Sequence, residues 1–176
     1  MGQIHSQEKG FLFAGFIYCQ DFSLDGLIKF LAGHFGNPLY ISREWDFSSF
    51  TDYYKAEMGE NLKRRFVVFD QLIFPLELSE IKVFTNGLEQ AYSQAGRRKV
   101  NIDPGFLSHN KLILATTKNH YHRIYLDKGI YLEVTMSFVH GDWRCFDWTY
   151  PDYRDHYRSW FKQIRPGVKE RILQSE

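Results

Sequence analysis

An α+β fold is predicted here: a ferredoxin-like βαββαβ core, extended by a C-terminal antiparallel β-meander and a closing helix. Three observations lead to it. The run FLFAGFIY, from Phe11 to Tyr18, is apolar on both faces and reads as a central strand. Two stretches of helical periodicity then alternate with strand-like runs in the order strand–helix–strand–strand–helix–strand. Beyond residue 118 the pattern changes to period two around a tight turn, and it ends in one more helical stripe.

Ser23 opens the first helix, which runs to about Phe35 with Leu24, Leu27, Ile28, Leu31 and Phe35 on its buried side. Gly36, ahead of Asn37-Pro38, stops it. Leu39 to Phe47 reads as a second, more polar strand, and FTDYYKAEMGEN after it as a long exposed excursion. In the third strand, Leu62 to Ile73, alternation sends Leu62, Arg64, Phe66 and Val68 to one face and Lys63, Arg65, Val67 and Phe69 to the other. Pro75 starts the second helix, with Glu77 and Glu80 where the helix dipole favours acids. Its core side is Leu78, Ile81, Thr85, Leu88 and Tyr92, and Gly96 ends it. The fourth strand, Arg98 to Ile102, is stopped by Asp103-Pro104-Gly105. With helices on one sheet face only, Val100 and Ile102 point at them, and Lys99, Asn101 and Asp103 stay on the open face.

Phe106 to Lys118 reads either as a short helix capped by Ser108 or as a strand from Leu112. The next turn is sharper: Asp127-Lys128-Gly129 fits a three-residue hairpin loop with Gly129 left-handed, so Leu126 pairs with Ile130. Tyr125 then faces Tyr131, Arg123 faces Glu133 and Tyr121 faces Thr135, with Ile124, Leu132, His122 and Val134 on the other side. Trp143 to Trp148 continues the meander. Pro151 opens the last helix, whose stripe is Tyr153, Tyr157, Trp160, Phe161 and Ile164 and whose end is Arg165-Pro166-Gly167.

A chain of 176 residues is expected to form one domain over 1–176, with 1–9 a mobile N-terminus and 166–176 a loosely held tail. Aromatics make up 18% of it, which favours a core of large flat side chains and a surface able to stack. A net charge of +1 supplies no field to gather nucleic acid nonspecifically or to hold an anionic membrane. Cys19 and Cys145 form no C-x-x-C pair, which excludes a cysteine zinc site. The polar start MGQIHSQEKG has no signal-peptide core, and no run reaches the ~20 apolar residues of a membrane span, so a cytoplasmic location is expected. Met1-Gly2 with Ser6 matches the loose myristoylation pattern, against the plainer reading of an ordinary bacterial start.

Three runs carry a resemblance over about Phe11 to Arg165. They are FTDYYKAEMG with LKRRF, then VNIDPGF, then TKNHYHRIYLDKGIYLEVT with WTYPDYR. The chain resembles the prokaryotic domain-of-unknown-function family 4416. The resemblance implies no activity. The GTP-binding label carried by some members has no G-x-x-x-x-G-K-[ST] loop behind it here. Matching positions include Tyr53, Glu57, Arg64, Lys82, Glu89, Asn101, Asp103, Lys118, His122, Arg123, Glu133 and Asp152, whereas His120 lies outside the pattern.

The candidate site is the open sheet face. Asp103 and Glu133 are its candidate catalytic acids, able to hold Mg²⁺; Lys99, Asn101, Lys118, His122 and Arg123 would bind a phosphate-bearing ligand, a nucleotide or an RNA end; Tyr125 and Tyr131 would stack a base. Against this stands a plain Arg123–Glu133 cross-strand ion pair beside a turn. His122 is expected among Ile124 and Val134 as a hydrogen-bonded core histidine rather than a metal ligand. The run Lys63, Arg64, Arg65 reads as a solvated strand start or a phosphate clamp, and Lys82, Asn86 and Glu89 as a polar helix side. The Thr51 to Gly59 loop is either a lid or an Ω-loop packed by its own side chains. The rival function is a non-catalytic module that binds a partner protein or a second copy through exposed aromatics. A sequence-tolerant RNA-binding face is disfavoured by the neutral charge.

Overall fold

The computed structural model describes residues 2–175. It is a mixed α/β architecture built on one large antiparallel sheet with four helices. In chain order the elements are β1 (Gly10–Tyr18), α1 (Leu24–Phe35), β2 (Pro38–Ile41), β3 (Trp45–Asp46), α2 (Lys55–Met58), β4 (Lys63–Ile73) and α3 (Leu78–Ala91, after a 3₁₀ turn at Pro75–Glu77). They continue with β5 (Val100–Leu107), β6 (Lys111–Thr116), β7 (Ile124–Asp127), β8 (Ile130–Val139), β9 (Asp142–Cys145) and α4 (Arg158–Leu173, after a π-helical turn at Tyr153–Tyr157). The sheet runs β2-β4-β1-β5-β6-β8-β7, with β3 beside β4 and β9 beside β8. β1 is an interior strand, paired with β4 on one side and β5 on the other, as its two-sided apolar sequence requires.

The two faces of β1 define two cores. Leu12, Ala14 and Phe16 pack with Leu27 and Leu31 of α1 and Leu78 and Ile81 of α3. Phe11 and Phe13, with Phe66 and Val68 of β4, are covered by Tyr157, Phe161, Ile164, Val168 and Ile172 at the C-terminus. The second face is therefore not open along its length, as expected from helices on one side only: α4 closes part of it, because Phe11, Phe13, Phe66 and Val68 need cover too.

Several boundaries move. The expected strand Leu39 to Phe47 breaks into β2 and β3 because Ser42 turns its hydroxyl into the ladder, where Oγ accepts from Phe66 N at 2.9 Å. The second helix ends at Ala91 rather than Gly96, since Ala95 and Gly96 are both left-handed in a tight turn between Gln94 and Arg97. The expected stop at Asp103-Pro104-Gly105 does not occur, and β5 passes through it. The ladder to β6 begins only at Gly105, which leaves Pro104 at its margin. At Gly105 a Cβ would collide with the Ile113 carbonyl and the Phe13 ring, so the glycine serves close strand approach, not a turn. The segment 106–118 resolves as strand, with Ser108 capping the turn into β6 through Lys111 N.

The hairpin turn has two residues, not three: Lys128 and Gly129 both have positive φ, and Asp127 pairs with Ile130. A bulge at Leu126 restores the expected Tyr125–Tyr131 and Ile124–Leu132 pairs. β7 starts only at Ile124, so Tyr121 does not pair with Thr135 and is 90% exposed. The last meander strand is β9 alone, shorter than Trp143 to Trp148.

At the C-terminus the helix does not end at Arg165-Pro166-Gly167. Pro166 removes one backbone hydrogen bond, but Val168 and Ile172 beyond it are fully buried, so the helix continues to Leu173 with these two side chains packed in the core and is not a loose tail. Ile172→Ala should accordingly cost about 2–5 kcal/mol in denaturant unfolding, where a frayed tail would lose almost nothing. No helix among the described residues is long and apolar enough to cross a membrane.

Candidate functional site

Past Gly105 the sheet opens: Ala115 and Thr116 of β6 pair with β8 and leave the first half of β5 without a neighbour on that side. Two side chains of α3 take the missing strand's place. Glu89 accepts from Ile102 N at 2.8 Å, and Lys82 donates to Ile102 O at 2.7 Å. Lys82 and Glu89 are thus buried and are not a solvated helix side. A backbone N–H and C=O that would otherwise be orphaned are satisfied without a ladder.

Below this split lies Arg64. Its alternation with Leu62, Phe66 and Val68 drives it inward, and it is 3% exposed, which overturns the reading of a solvated strand start at this position. Gly15 opposite leaves room for it, since a Cβ there would crowd its guanidinium. The rings of Phe47, Phe66, Tyr153 and Tyr157 surround the guanidinium carbon at 4.8–5.8 Å. Nη2 donates to the Tyr153 hydroxyl at 3.0 Å, and Nη1 lies 3.6 Å from Asp103 Oδ2. Burial works against this charge, but Tyr153, Asp152 and Asp103 outweigh it and hold the guanidinium protonated. Burial likewise pushes the Asp152 carboxyl up from the usual carboxylate range, with Arg64 pulling the other way. Asp103 also accepts from Asn101 Nδ2 at 2.9 Å and faces Lys82 at 3.8 Å.

The excursion after β3 is anchored over this cluster. Met58 is buried with Phe47, Leu62, Ile17 and Cys19, and the Cys19 thiol donates to Met58 O. Arg98 grips Glu57 with two nitrogens at 2.5 and 2.7 Å, and reaches Glu89 at 2.6 Å and Asn101 at 3.0 Å. That bidentate contact holds the Glu57 carboxyl below its ordinary range. The loop is packed by its own side chains and at the same time roofs a cavity with Tyr53 and Tyr54.

The far wall is built on Glu133, which is 2% exposed. Its Oε2 accepts from Arg123 Nε at 2.8 Å and lies 3.0 Å from His122 Nε2. Arg123 also donates to Lys118 O at 3.1 Å and to the Tyr150 hydroxyl at 3.3 Å. His122 stacks on Trp148 with ring centroids 5.2 Å apart, and so is held by Glu133 and not among Ile124 and Val134 as expected. Lys118 makes no ion pair among the described residues; its Nζ donates to the Tyr53 hydroxyl at 2.7 Å and sits over that ring.

These groups enclose a cavity of about 610 Å³. Asp103, Glu133, Lys118 and Arg123 of the expected site line it, with Asn101 and His122 one bond behind. Lys99 does not, because it pairs with Asp21 at 2.8 Å. Tyr125 and Tyr131 pack on each other at the outer edge and wall no part of it. The aromatic walls are instead Phe47, Phe50, Tyr53, Tyr54, Tyr150 and Tyr153, and Arg64 and Asp152 complete the floor. Arg64 carried a signal in the sequence, a charge on an apolar alternation. Asp152 was marked only by the family resemblance, and Tyr153 stood on the apolar stripe of the last helix.

Mg²⁺ held by Asp103 and Glu133 does not fit this arrangement. Each carboxylate is already engaged by basic side chains of its own, and no three His, Cys, Asp or Glu among the described residues converge as a metal would need.

Comparison with curated proteins and with solved structures found no match. The model of one family does match, over residues 8–167, and so takes in both walls of the cavity, its roof and its floor: the chain belongs to the family described as Domain of unknown function (DUF4416).

Proposed function

We propose that the cavity binds a phosphate-bearing small molecule, a nucleotide free or at the end of an RNA. The observation that carries the reading is Lys118, a cation with no ion pair among the described residues, at the side of a nucleotide-sized cavity walled by tyrosine and phenylalanine. A phosphate would displace the Tyr53 hydroxyl from Nζ, with Arg123 next to it, while a flat apolar body lies against Tyr53, Tyr54 and Tyr150. Three cationic and three acidic side chains line the space, Arg64, Lys118 and Arg123 against Asp103, Glu133 and Asp152, with the imidazole of His120 beside them. Such balance suits one phosphate better than a polyanion. Screening nucleotides by thermal shift tests it: a ligand at 100 times its dissociation constant adds about 2.7 kcal/mol of stability, and Lys118→Ala should weaken binding at least tenfold with little change in the unliganded midpoint. Equal shifts for both proteins would remove the assignment.

The second reading rests on the outer hairpin. Ile124 and Val134 are exposed on it, as are Tyr125 and, just before it, Tyr121, apolar surface suited to a partner protein or a second copy. Concentration-dependent sedimentation with no ligand response would favour it. We also read β1 to β5 as a ferredoxin-like core; the order β2-β4-β1-β5 with α1 and α3 on one face supports this. A cytoplasmic location accompanies the nucleotide reading.

A further inference from the structure

We propose that the inner end of the cavity, at Arg64, Asp103 and Asp152, seats a neutral pair of adjacent hydroxyls, as a pentose ring carries, on the same ligand whose phosphate meets Lys118. This rests on the proposed phosphate site and adds what the rest of the ligand must be.

The floor is a buried guanidinium between two carboxylates, and its hydrogen-bonding capacity is only partly used. Of the five N–H donors of Arg64, Nη2 reaches Tyr153 at 3.0 Å and Nη1 is 3.6 Å from Asp103, beyond hydrogen-bond range, so Nη1 is the nitrogen left for a ligand; Nε has no partner among the described residues but is buried away from the cavity. One Asp152 oxygen accepts from the backbone N of Tyr153 at 3.0 Å, and the other carboxyl oxygen has no donor among the described residues. Donor and acceptor groups therefore both line the floor of the cavity. A buried guanidinium with unmet donors is costly, which makes it a demand for a ligand group and not spare capacity.

Charge decides which group. A second phosphate or a carboxylate here would be a third negative group around the Arg64 guanidinium, since Lys82 already faces Asp103 and Glu89, and like charges at such spacing repel strongly in a poorly solvated site. An ammonium would meet Arg64. A hydroxyl is neutral and can donate to a carboxylate while accepting from a guanidinium, so two adjacent hydroxyls match this floor in both senses. The surroundings suit a ring with apolar C–H faces: Tyr153 lies beneath, and Tyr54 stands close enough that Asp103 and Arg64 both act on its hydroxyl. A site built to hydrogen-bond hydroxyls discriminates steeply against an analogue that lacks them, because its own buried groups are then left unpaired.

The chemistry has two sources, a ribonucleotide and a free sugar phosphate. The experiment is calorimetric titration of the native protein with adenosine monophosphate, its 2′,3′-dideoxy analogue, ribose 5-phosphate and inorganic phosphate. Adenosine monophosphate should bind at least tenfold tighter than the dideoxy analogue. Asp152→Asn should shrink that ratio while leaving the affinity for inorganic phosphate unchanged. Ribose 5-phosphate as tight as the nucleotide would identify a sugar phosphate as the ligand class, and a weaker fit a nucleotide; either agrees with hydroxyl seating. If both adenosine compounds bind equally, the inference falls and the phosphate site stands. If none of the four binds, both fall. The ratio on the native protein decides even where the variant folds poorly.

Discussion

Arg64→Met should destabilise the protein by about 3 kcal/mol, read as a lowered denaturant midpoint with an unchanged slope. The substitution keeps the length of an apolar stem but strips Asp103 and Asp152 of their shared cation and leaves the buried Tyr153 hydroxyl without its donor. The lower end of the 3–5 kcal/mol expected for a broken buried pair applies, because Asp103 keeps a side-chain exposure of 27% and still has Lys82 and Asn101. Arg64→Lys should rescue little. A single ammonium cannot spread over four rings and reach Tyr153 as well. Full recovery by lysine would mean that charge alone matters and that the aromatic enclosure contributes nothing.

Arg123→Ala should cost about 3–5 kcal/mol. It leaves Glu133, 2% exposed, with His122 and Thr135 as its remaining side-chain neighbours, and it frees the Lys118 carbonyl and the Tyr150 hydroxyl as well. Replacing both members by leucine removes the uncompensated charge and should recover much of the loss. That double variant is the informative one. If the pair only closes the hairpin, the refolded double variant binds phosphate ligands as the native protein does. If the pair shapes the cavity, it folds and binds at least tenfold more weakly. A single Arg123→Ala variant as stable as the native protein would show that the pair, though close, carries no stability.

How much of this was legible before the fold was known differs residue by residue. The Arg123–Glu133 ion pair was legible from the turn, although the turn is one residue shorter and Arg123 lies just outside β7. The bulge at Leu126 restores the Tyr125–Tyr131 and Ile124–Leu132 pairs beside it, while His122, expected on the opposite side, reaches Glu133 as well. The order of the first elements was readable because the periodicities of β1, α1 and α3 are strong and unbroken. Asp103-Pro104-Gly105 misled, since those residue types mark turns by default. Here the missing β6 ladder tolerates Pro104, and the approach of Phe13 and Ile113 requires Gly105. The sheet's opening was not readable, because it depends on Glu89 and Lys82 meeting Ile102 across a distance in sequence that periodicity does not span. For the same reason the stacking tyrosines were sought on the hairpin, where the register places Tyr125 and Tyr131. The true walls, Tyr53, Tyr54 and Tyr153, come from a loop and a helix that converge only in the folded molecule. Pro166 stopped the last helix on paper, while Val168 and Ile172 carry it on.

The most direct test of the phosphate site is the electron density of the protein crystallised with adenosine monophosphate. The expected result is a phosphate within hydrogen-bond distance of Lys118 Nζ, the Tyr53 hydroxyl displaced from it, and the rest of the ligand between the aromatic walls above Arg64 and Asp152. Density that leaves the cavity empty, or that seats the nucleotide on the outer tyrosines Tyr125 and Tyr131, would contradict it.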